Sequence, residues 1–236
     1  MNIKITSLAL VFILSIFSIS QAQNFGNFDQ VSNSGIIKFN TKSDNVDLTY
    51  ADFDGNPFLK DGWITGTVLL DDGTKVEGVG IKYDILQNAV IAKSDKREVV
   101  LYNRFVNGFI DSEDNQLYKN GYNYEKMGIK PNQYLRVIYE DDEVSILEKY
   151  EVKQFVESAS GYGNSQDTKR MIVQSDILMK AGDEYEDIKM KKKHILKRLP
   201  YPKSKIEDIA KSNNLDIEDE EDLNKIMKLY HKNEKS

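Results

Sequence analysis

The chain is 236 residues long, with no cysteine, two histidines and a formal net charge of −6. With no cysteine we expect no disulfide and no lipoprotein-type anchor, so stability must come from an apolar core. The acidic balance favours solubility and argues against general nucleic-acid binding.

A secretory signal peptide is predicted over residues 1–22. Lys4 supplies the positive start, Leu8–Ile19 is an uncharged apolar run, and Ser20-Gln21-Ala22 places small residues where a signal peptidase reads them. The apolar run is too short for a typical membrane span. We expect cleavage after Ala22, which removes Lys4 and changes the charge from −6 to −7. The mature protein would be periplasmic or secreted, with no transmembrane span.

An irregular N-terminal arm is predicted over residues 23–60, which are rich in Asn, Asp, Ser and Gly. An antiparallel β-rich body follows over residues 61–190. Its clearest unit is a hairpin around Asp72-Gly73, a pair that between apolar runs indicates a type I′ turn. Gly78 and Gly80 interrupt the returning strand and predict a bulge or a close backbone contact.

The rest of the body predicts further hairpins. A loop at residues 111–123 separates a first block of strands, over 61–112, from a second, over 130–190. The two blocks are expected as one sheet or as two. Tyr134, Ile138, Val144 and Ile146 are expected on one face of the second block. Ser158–Asp167 is predicted to be a long Gly/Ser/Asn loop.

A helical tail is predicted over residues 191–236, where the apolar period changes from two to about 3.6. Ser204-x-x-Glu207 indicates a capping box at the second of three short helices. Leu223, Ile226, Met227 and Tyr230 form one apolar stripe on the third. The stripe must be covered either by the rest of the chain or by a groove on a partner. The fold class is therefore α+β: an antiparallel β-meander body followed by a three-helix tail.

No catalytic motif, cofactor fingerprint or metal-ligand spacing is present, so we predict no catalytic residue, cofactor or metal. Three sets of residues are candidates for contacts with a ligand or a partner. The first is a set of tyrosines placed in predicted loops, because tyrosine has a rigid ring and a polar hydroxyl. The second is the basic cluster of the tail, and the third is the apolar stripe of the last helix. The candidates are Tyr118, Tyr122, Tyr124, Tyr162, Lys191, Lys192, Lys193, Leu223, Met227 and Tyr230.

Several motifs resemble a family of exported proteins common in Bacteroidetes-type bacteria. The pattern W-x-x-G-x-V-x-L-x-D-G covers residues 63–73, and a strand with Tyr83-Asp84 follows. A later hairpin matches at Tyr134, Val144, Leu147, Lys149 and Tyr150, and the tail matches at residues 191–200 and 220–223. The resemblance spans about residues 60 to 232. It implies export and this plan of body and tail, and it transfers no catalytic residue.

The sequence thus predicts a non-enzymatic exported protein of the cell envelope, with a structural or protein-interaction role and other envelope proteins as partners. The alternative is a binding module for a glycan or another small envelope ligand. A hydrolase with an unrecognised site comes third.

Overall fold

The computed structural model describes residues 37–38, 50–94, 97–101, 103–157 and 168–234. The predicted signal peptide, most of the predicted arm, the predicted loop at 158–167 and Tyr162 lie outside these residues. The described chain confirms the α+β class, with an antiparallel sheet followed by three helices.

The strands form one sheet rather than two. Its spatial order is β1-β5-β4-β3-β2-β6-β7-β8-β9-β10-β11, so consecutive strands are neighbours except where β2 pairs with β6 and β1 with β5. The strands are β1 (Ile37–Lys38), β2 (Ile64–Leu70), β3 (Lys75–Asp84), β4 (Ala89–Ser94), β5 (Arg97–Leu101), β6 (Val106–Asp111), β7 (Gln116–Lys119), β8 (Leu135–Glu140), β9 (Val144–Glu157), β10 (Thr168–Ala181) and β11 (Glu184–Ile188).

The β2–β3 hairpin is present, but its predicted turn type is wrong. A type I′ turn needs positive φ at both central residues, and of the pair Asp72-Gly73 only Gly73 has one, at +86°. The Gly73 N–H donates to the Leu70 carbonyl, and the Leu70 N–H donates to the Thr74 carbonyl. The connection is therefore a three-residue loop, a type I turn with a left-handed glycine. The predicted bulge is confirmed, because the register shifts between Gly66 and Val68, opposite Gly78.

The loop predicted at residues 111–123 is wrong in part, because it contains β7, which pairs with β6 and β8. Backbones approach closely there, since a Cβ on Gly108 would lie 2.3 Å from the Tyr118 carbonyl oxygen. This strand of four residues is shorter than the predicted runs.

The sheet is rolled, and a short segment of the arm joins its distant strands. Asp54 bridges to Arg170 on β10, and Phe58 bridges to Asp84 on β3. Four residues of extended chain span at most roughly 14 Å. The six strand spacings from β3 to β10 would span roughly 29 Å in a flat sheet. The sheet must therefore curve until β10 approaches β3.

Two large apolar cores and a smaller third cluster, formed by Tyr122, Ile129, Leu135, Leu147 and Leu178, stabilise the described fold. The first, called the sheet core, lies inside β2–β8 and includes Tyr83, Phe109 and Tyr134, with the outer half of the β9–β10 hairpin packed against it. The Tyr83 and Tyr134 ring centroids lie 5.4 Å apart across it. The second, called the tail core, joins β8–β11 to the helices. The predicted common face is confirmed: Tyr134 lies in the sheet core, and Ile138, Val144 and Ile146 in the tail core.

The tail consists of α1 (Lys192–Arg198), α2 (Lys203–Asn213) and α3 (Glu220–Glu234). The predicted capping box is wrong, because α2 begins at Lys203 after Pro202 and no side chain caps its first turn. Proline pre-sets the backbone angle there, so the helix begins without a cap. None of the helices in the described ranges is long and apolar enough to cross a membrane.

Candidate functional site

The three members of the predicted tyrosine set that the structure describes do not form an exposed binding face. Tyr118 lies in β7 rather than in a loop, is 3% exposed and stacks on Phe109 at 4.6 Å between ring centroids. Tyr122 is 8% exposed, and its hydroxyl donates to Glu140 Oε1 at 2.7 Å. Tyr124 is half-buried and stacks on Tyr185. Tyr118 is buried because it is a strand residue, which tyrosine favours, whereas Tyr122 and Tyr124 lie in the connection after β7 and pack on an apolar cluster with Ile129 and Leu135.

The basic cluster of the tail is exposed, and two of its lysines are paired. Lys191 Nζ lies 3.0 Å from Glu218, and Lys192 Nζ lies 2.7 Å from Glu207. Lys193 is exposed on the same helix. Paired surface lysines present less positive charge to a partner than the sequence run suggests.

The apolar stripe of α3 is covered by the rest of the chain. Leu223, Ile226 and Met227 are completely buried and Tyr230 is nearly so, all within the tail core. The interpretation that the stripe docks on a partner is therefore wrong, and its residues serve packing.

The structure brings together a different set of residues, at the boundary between the two cores. The inward positions are Tyr134, directly before β8, with Arg136 and Ile138 on β8, and on β9 they are Tyr150, Glu148 and Ile146. The charged member of each series lies between an aromatic residue of the sheet core and an aliphatic residue of the tail core. We call Arg136, Glu148 and Glu220 the junction belt.

Arg136 is the centre of the junction belt. Its Nε donates to Glu148 Oε2 at 2.5 Å, and its two terminal nitrogens donate to the two carboxylate oxygens of Glu220 at 2.8 and 3.0 Å. The second contact is bidentate and comes from the first turn of α3, so it fixes the helix against β8. The side chains of Arg136 and Glu148 are 14% and 12% exposed, which strengthens the pair relative to a surface contact.

The Glu148 carboxylate is held ionised by its neighbours. Burial alone would raise its pKa, but hydrogen bonds from Ser175 and Tyr150 and the charge of Arg136 outweigh burial and lower the pKa. The Tyr150 hydroxyl donates to Glu148 Oε2 at 2.5 Å, and burial together with this bond raises the pKa of Tyr150. The contact between Arg136 and Glu148 is therefore an ion pair at neutral pH.

A second polar cluster fixes the other end of α3. Asp141 follows β8, and its Oδ2 accepts hydrogen bonds from the hydroxyls of Tyr139 at 2.5 Å and Tyr201 at 2.8 Å. His231 Nε2 lies 2.7 Å from the same oxygen. The backbone N–H groups of Glu143 and Val144 donate to Oδ1, both at 2.7 Å. Burial raises the pKa of Asp141, but these hydrogen bonds outweigh it and the pKa lies below its ordinary value.

A cleft of about 830 Å³ lies between α3 and strands β7–β8. We call it the junction cleft. Arg136 and Asp141 lie at its two ends, and the Asn224 side chain donates to the Ile138 carbonyl on its wall at 2.7 Å. Its rim carries the exposed side chains of Asp142, Glu143, Glu221 and Lys228. A cleft of this size is the default position for a ligand.

Sequence reasoning missed the junction cleft, although one signal pointed to it. Arg136 occupies an inward position in a strand whose other inward positions are apolar, and a charged side chain there needs a buried partner. The partner, Glu220, comes from the distant tail, so the sequence alone could not identify it.

Among the residues that the structure describes, no group of three or more His, Cys, Asp and Glu side chains is arranged to hold a metal ion. No family model, curated protein or solved structure is significantly similar to the chain.

Proposed function

We propose that this chain is an exported, non-enzymatic interaction protein of the cell envelope, and that a segment of its partner binds in the junction cleft. The observation that carries the proposal is that the cleft is formed in advance. Three long-range contacts, Arg136–Glu220, Asn224–Ile138 and His231–Asp141, hold α3 at a fixed distance from the sheet. A preformed cleft lets a partner bind without the cost of ordering the walls.

The polar groups of the cleft favour binding over catalysis. Asp141 already accepts hydrogen bonds from two hydroxyls and two backbone N–H groups and contacts His231, and its pKa is lowered. A general base needs a free lone pair and a pKa near the working pH. Arg136 is likewise occupied by two carboxylates. These observations favour an interaction role over a hydrolase activity.

The surroundings of the cleft favour a charged protein segment over a glycan. Glycan sites present exposed aromatic rings as platforms, whereas Tyr139, which lines the cleft, is buried. The exposed charged groups lining the cleft are four carboxylates, of Glu140, Asp142, Glu143 and Glu221, and two lysines, Lys228 and Lys232, so the rim is acidic on balance. A partner segment with a net positive charge would complement this rim.

Charge reversal at the rim tests the proposal. We expect Glu221→Lys to abolish co-purification of a partner from gently solubilised envelope, because it places a like charge against the basic segment. The matched control is Glu77→Lys, an exposed glutamate on β3 outside the cleft. The free energy of unfolding of both variants should lie within about 0.5 kcal/mol of the wild-type value, since both positions are exposed.

Recovery of the same partners by wild type, Glu221→Lys and Glu77→Lys would contradict the proposal. A thermal-shift assay with a panel of glycans distinguishes the alternative function, a binding module for a glycan or another small ligand, from protein binding. If one glycan raises the melting temperature of wild type and of Glu77→Lys but not of Glu221→Lys, the cleft binds a small ligand instead.

A further inference from the structure

The edge of β10 has a short stretch that no described strand covers. β11 pairs only with Ile177–Ala181, the end of the fourteen-residue strand. At the other end, the Asp54 N–H donates to the Lys169 carbonyl and the Met171 N–H donates to the Asp54 carbonyl, both at 2.8 Å. Between these contacts lies Ile172–Asp176, which we call the edge window.

In the edge window, alternate residues direct their backbone N–H and C=O groups away from β9, toward the open edge. Because Lys169 and Met171 bond to Asp54, the odd-numbered residues of β10 direct their N–H and C=O groups away from β9. The next two are Val173 and Ser175, and no described residue bonds to their outward N–H or C=O groups. Four hydrogen-bonding groups in strand geometry are a template for one more strand.

The edge window lacks the usual protection of an open edge. It contains no proline, glycine or lysine, and its one charged residue is Asp176 at its end. By contrast β11, the outermost strand on this side, carries three carboxylates in the sequence EYEDI. Charges of that kind discourage strand addition. The window therefore differs from the guarded edge beside it.

A groove with an apolar side accompanies the edge window. The groove is a cleft of about 390 Å³, and its apolar residues are Phe58, Leu59, Met171, Ile172 and Val173, while Gly55, Asn56, Lys60 and Asp61 line the rest. The Ile172 side chain is 38% exposed and lines this groove, so it is available for contact with an added strand. A strand added at the window would place alternate side chains over this groove.

We propose that the edge window binds a short extended peptide segment of another protein by strand addition. The segment would pair with Val173 and Ser175 and place an aliphatic side chain in the groove. Main-chain hydrogen bonds would supply affinity and the groove would supply specificity. This site is separate from the junction cleft and does not depend on it.

A second copy of the chain does not fit this site. In a two-fold pairing of two windows, the partner's β10 would continue past the window into the space that β11 occupies. At fourteen residues, β10 is much longer than the gap between Asp54 and β11. A chain end or loop tip about as long as the window fits without displacing either.

A displayed library of random short peptides tests the proposal, with the full mature chain as bait. Peptides selected on wild type alone are then measured for binding to Ile172→Lys, because a lysine at an edge blocks strand addition. The matched control is Phe155→Lys, which replaces a side chain of similar exposure, 42%, on β9 and away from the edge. We expect selected peptides to lose affinity for Ile172→Lys by about tenfold or more and to retain it for Phe155→Lys.

Two further measurements make the test independent of the protein variants. In amide exchange followed by NMR, the Val173 and Ser175 amides should exchange readily in the free protein and slow by about tenfold or more when a selected peptide is added. Two versions of a selected peptide are then compared, one N-methylated at its odd-numbered amides and one at its even-numbered amides. Only one edge of the added strand pairs with β10, so one version should lose binding and the other should keep it.

Four results would overturn the proposal: no peptide is enriched, the enriched peptides bind Ile172→Lys as well as wild type, both N-methylation registers bind equally, or the two amides are already protected in the free protein. A dimer that Ile172→Lys dissociates would also overturn it, in favour of a second copy. Loss of partners in Glu221→Lys with peptide binding intact would separate this site from the junction cleft.

Discussion

Gly73 has a φ of +86° in the loop between β2 and β3, and the space around it is open, since a Cβ there would have no atom within 4 Å. Replacement by alanine therefore tests backbone conformation alone. We expect Gly73→Ala to lower the free energy of unfolding by about 1 kcal/mol, because an L-residue pays a steric cost in the left-handed region. Chemical denaturation measures the change.

Gly62→Ala is the matched control. Gly62 also has open space around a built Cβ, but its φ is not in the left-handed region. Alanine there should leave stability unchanged or raise it slightly by restricting the unfolded chain. Equal effects at the two glycines would show that the turn geometry at Gly73 is not as described.

The lowered pKa of Asp141 predicts how acid affects the docking of α3. A carboxyl group whose pKa is lower in the folded state contributes its full stabilisation above its ordinary pKa of 3.8. That contribution is lost as the pH falls from this value through the folded-state pKa. We expect Asp141→Asn to cost about 1–3 kcal/mol at neutral pH, because charged hydrogen bonds are lost. The difference from wild type should shrink below pH 3.8.

Thermal melts of wild type and Asp141→Asn from neutral to acidic pH measure this difference. Asp142→Asn, a change at the exposed neighbouring carboxylate, is the control and should follow the wild-type curve. A difference between wild type and Asp141→Asn that is independent of pH would mean that the carboxylate charge does not hold the tail.

At the scale of elements, α3 belongs to the core. We expect Leu223→Ala to cost about 2–5 kcal/mol, since the side chain is completely buried in the tail core and its removal leaves a cavity. The control Lys225→Ala changes an exposed residue of the same helix and should cost less than about 0.5 kcal/mol. The melting temperatures of the two variants test this expectation. An unchanged melting temperature for Leu223→Ala would indicate that α3 is a docking helix and not part of the core.

The elements that were predictable from sequence are those with a strong local period. The α3 stripe at Leu223, Ile226, Met227 and Tyr230 repeats every three to four residues, and the strands around Gly73 alternate. β7 was missed because its four residues, QLYK, follow the turn residue Asn115 and show too short an alternation. The capping box was an error of a different kind, since Ser204 lies inside the helix that Pro202 starts.

At the scale of the whole molecule, the junction belt should couple the two cores. Trp63 is the only tryptophan of the chain and lies directly before β2, a strand of the sheet core, with Lys82 and Lys93 over its ring. We expect Trp63 fluorescence and the helical circular dichroism signal to report one coincident unfolding transition in wild type. Arg136→Met should cost about 3–5 kcal/mol, because it leaves Glu148 and Glu220 without their partner.

In Arg136→Met we further expect the helical signal to be lost at a lower temperature than the Trp63 signal. Glu220→Gln should fall between this variant and wild type, because the amide keeps a hydrogen bond and loses the charge. Lys75→Gln, which removes an exposed charge on β3, is the control. Coincident transitions in every variant would show that the cores are coupled by packing alone.

The order of the body and the tail was predictable from the change of apolar period near residue 191, because such a period is local. The curvature of the sheet and the position of the junction cleft were not. Both depend on pairs that are distant in sequence, Asp54 with Arg170 and Arg136 with Glu220. No local pattern encodes such a pair: the inward position of Arg136 indicates that a partner is needed, but not that the partner is Glu220.

The bridge between Asp54 and β10 also has a consequence for folding kinetics. From β6 onward each strand pairs with the next, so these hairpins close over short stretches of chain at little entropic cost. The arm is different, because its partner strand β10 lies far along the chain. During synthesis the arm emerges first, and β10 is made much later. We expect the roll to close only after the hairpins between them have formed, so that the groove side of the sheet core stays accessible until then.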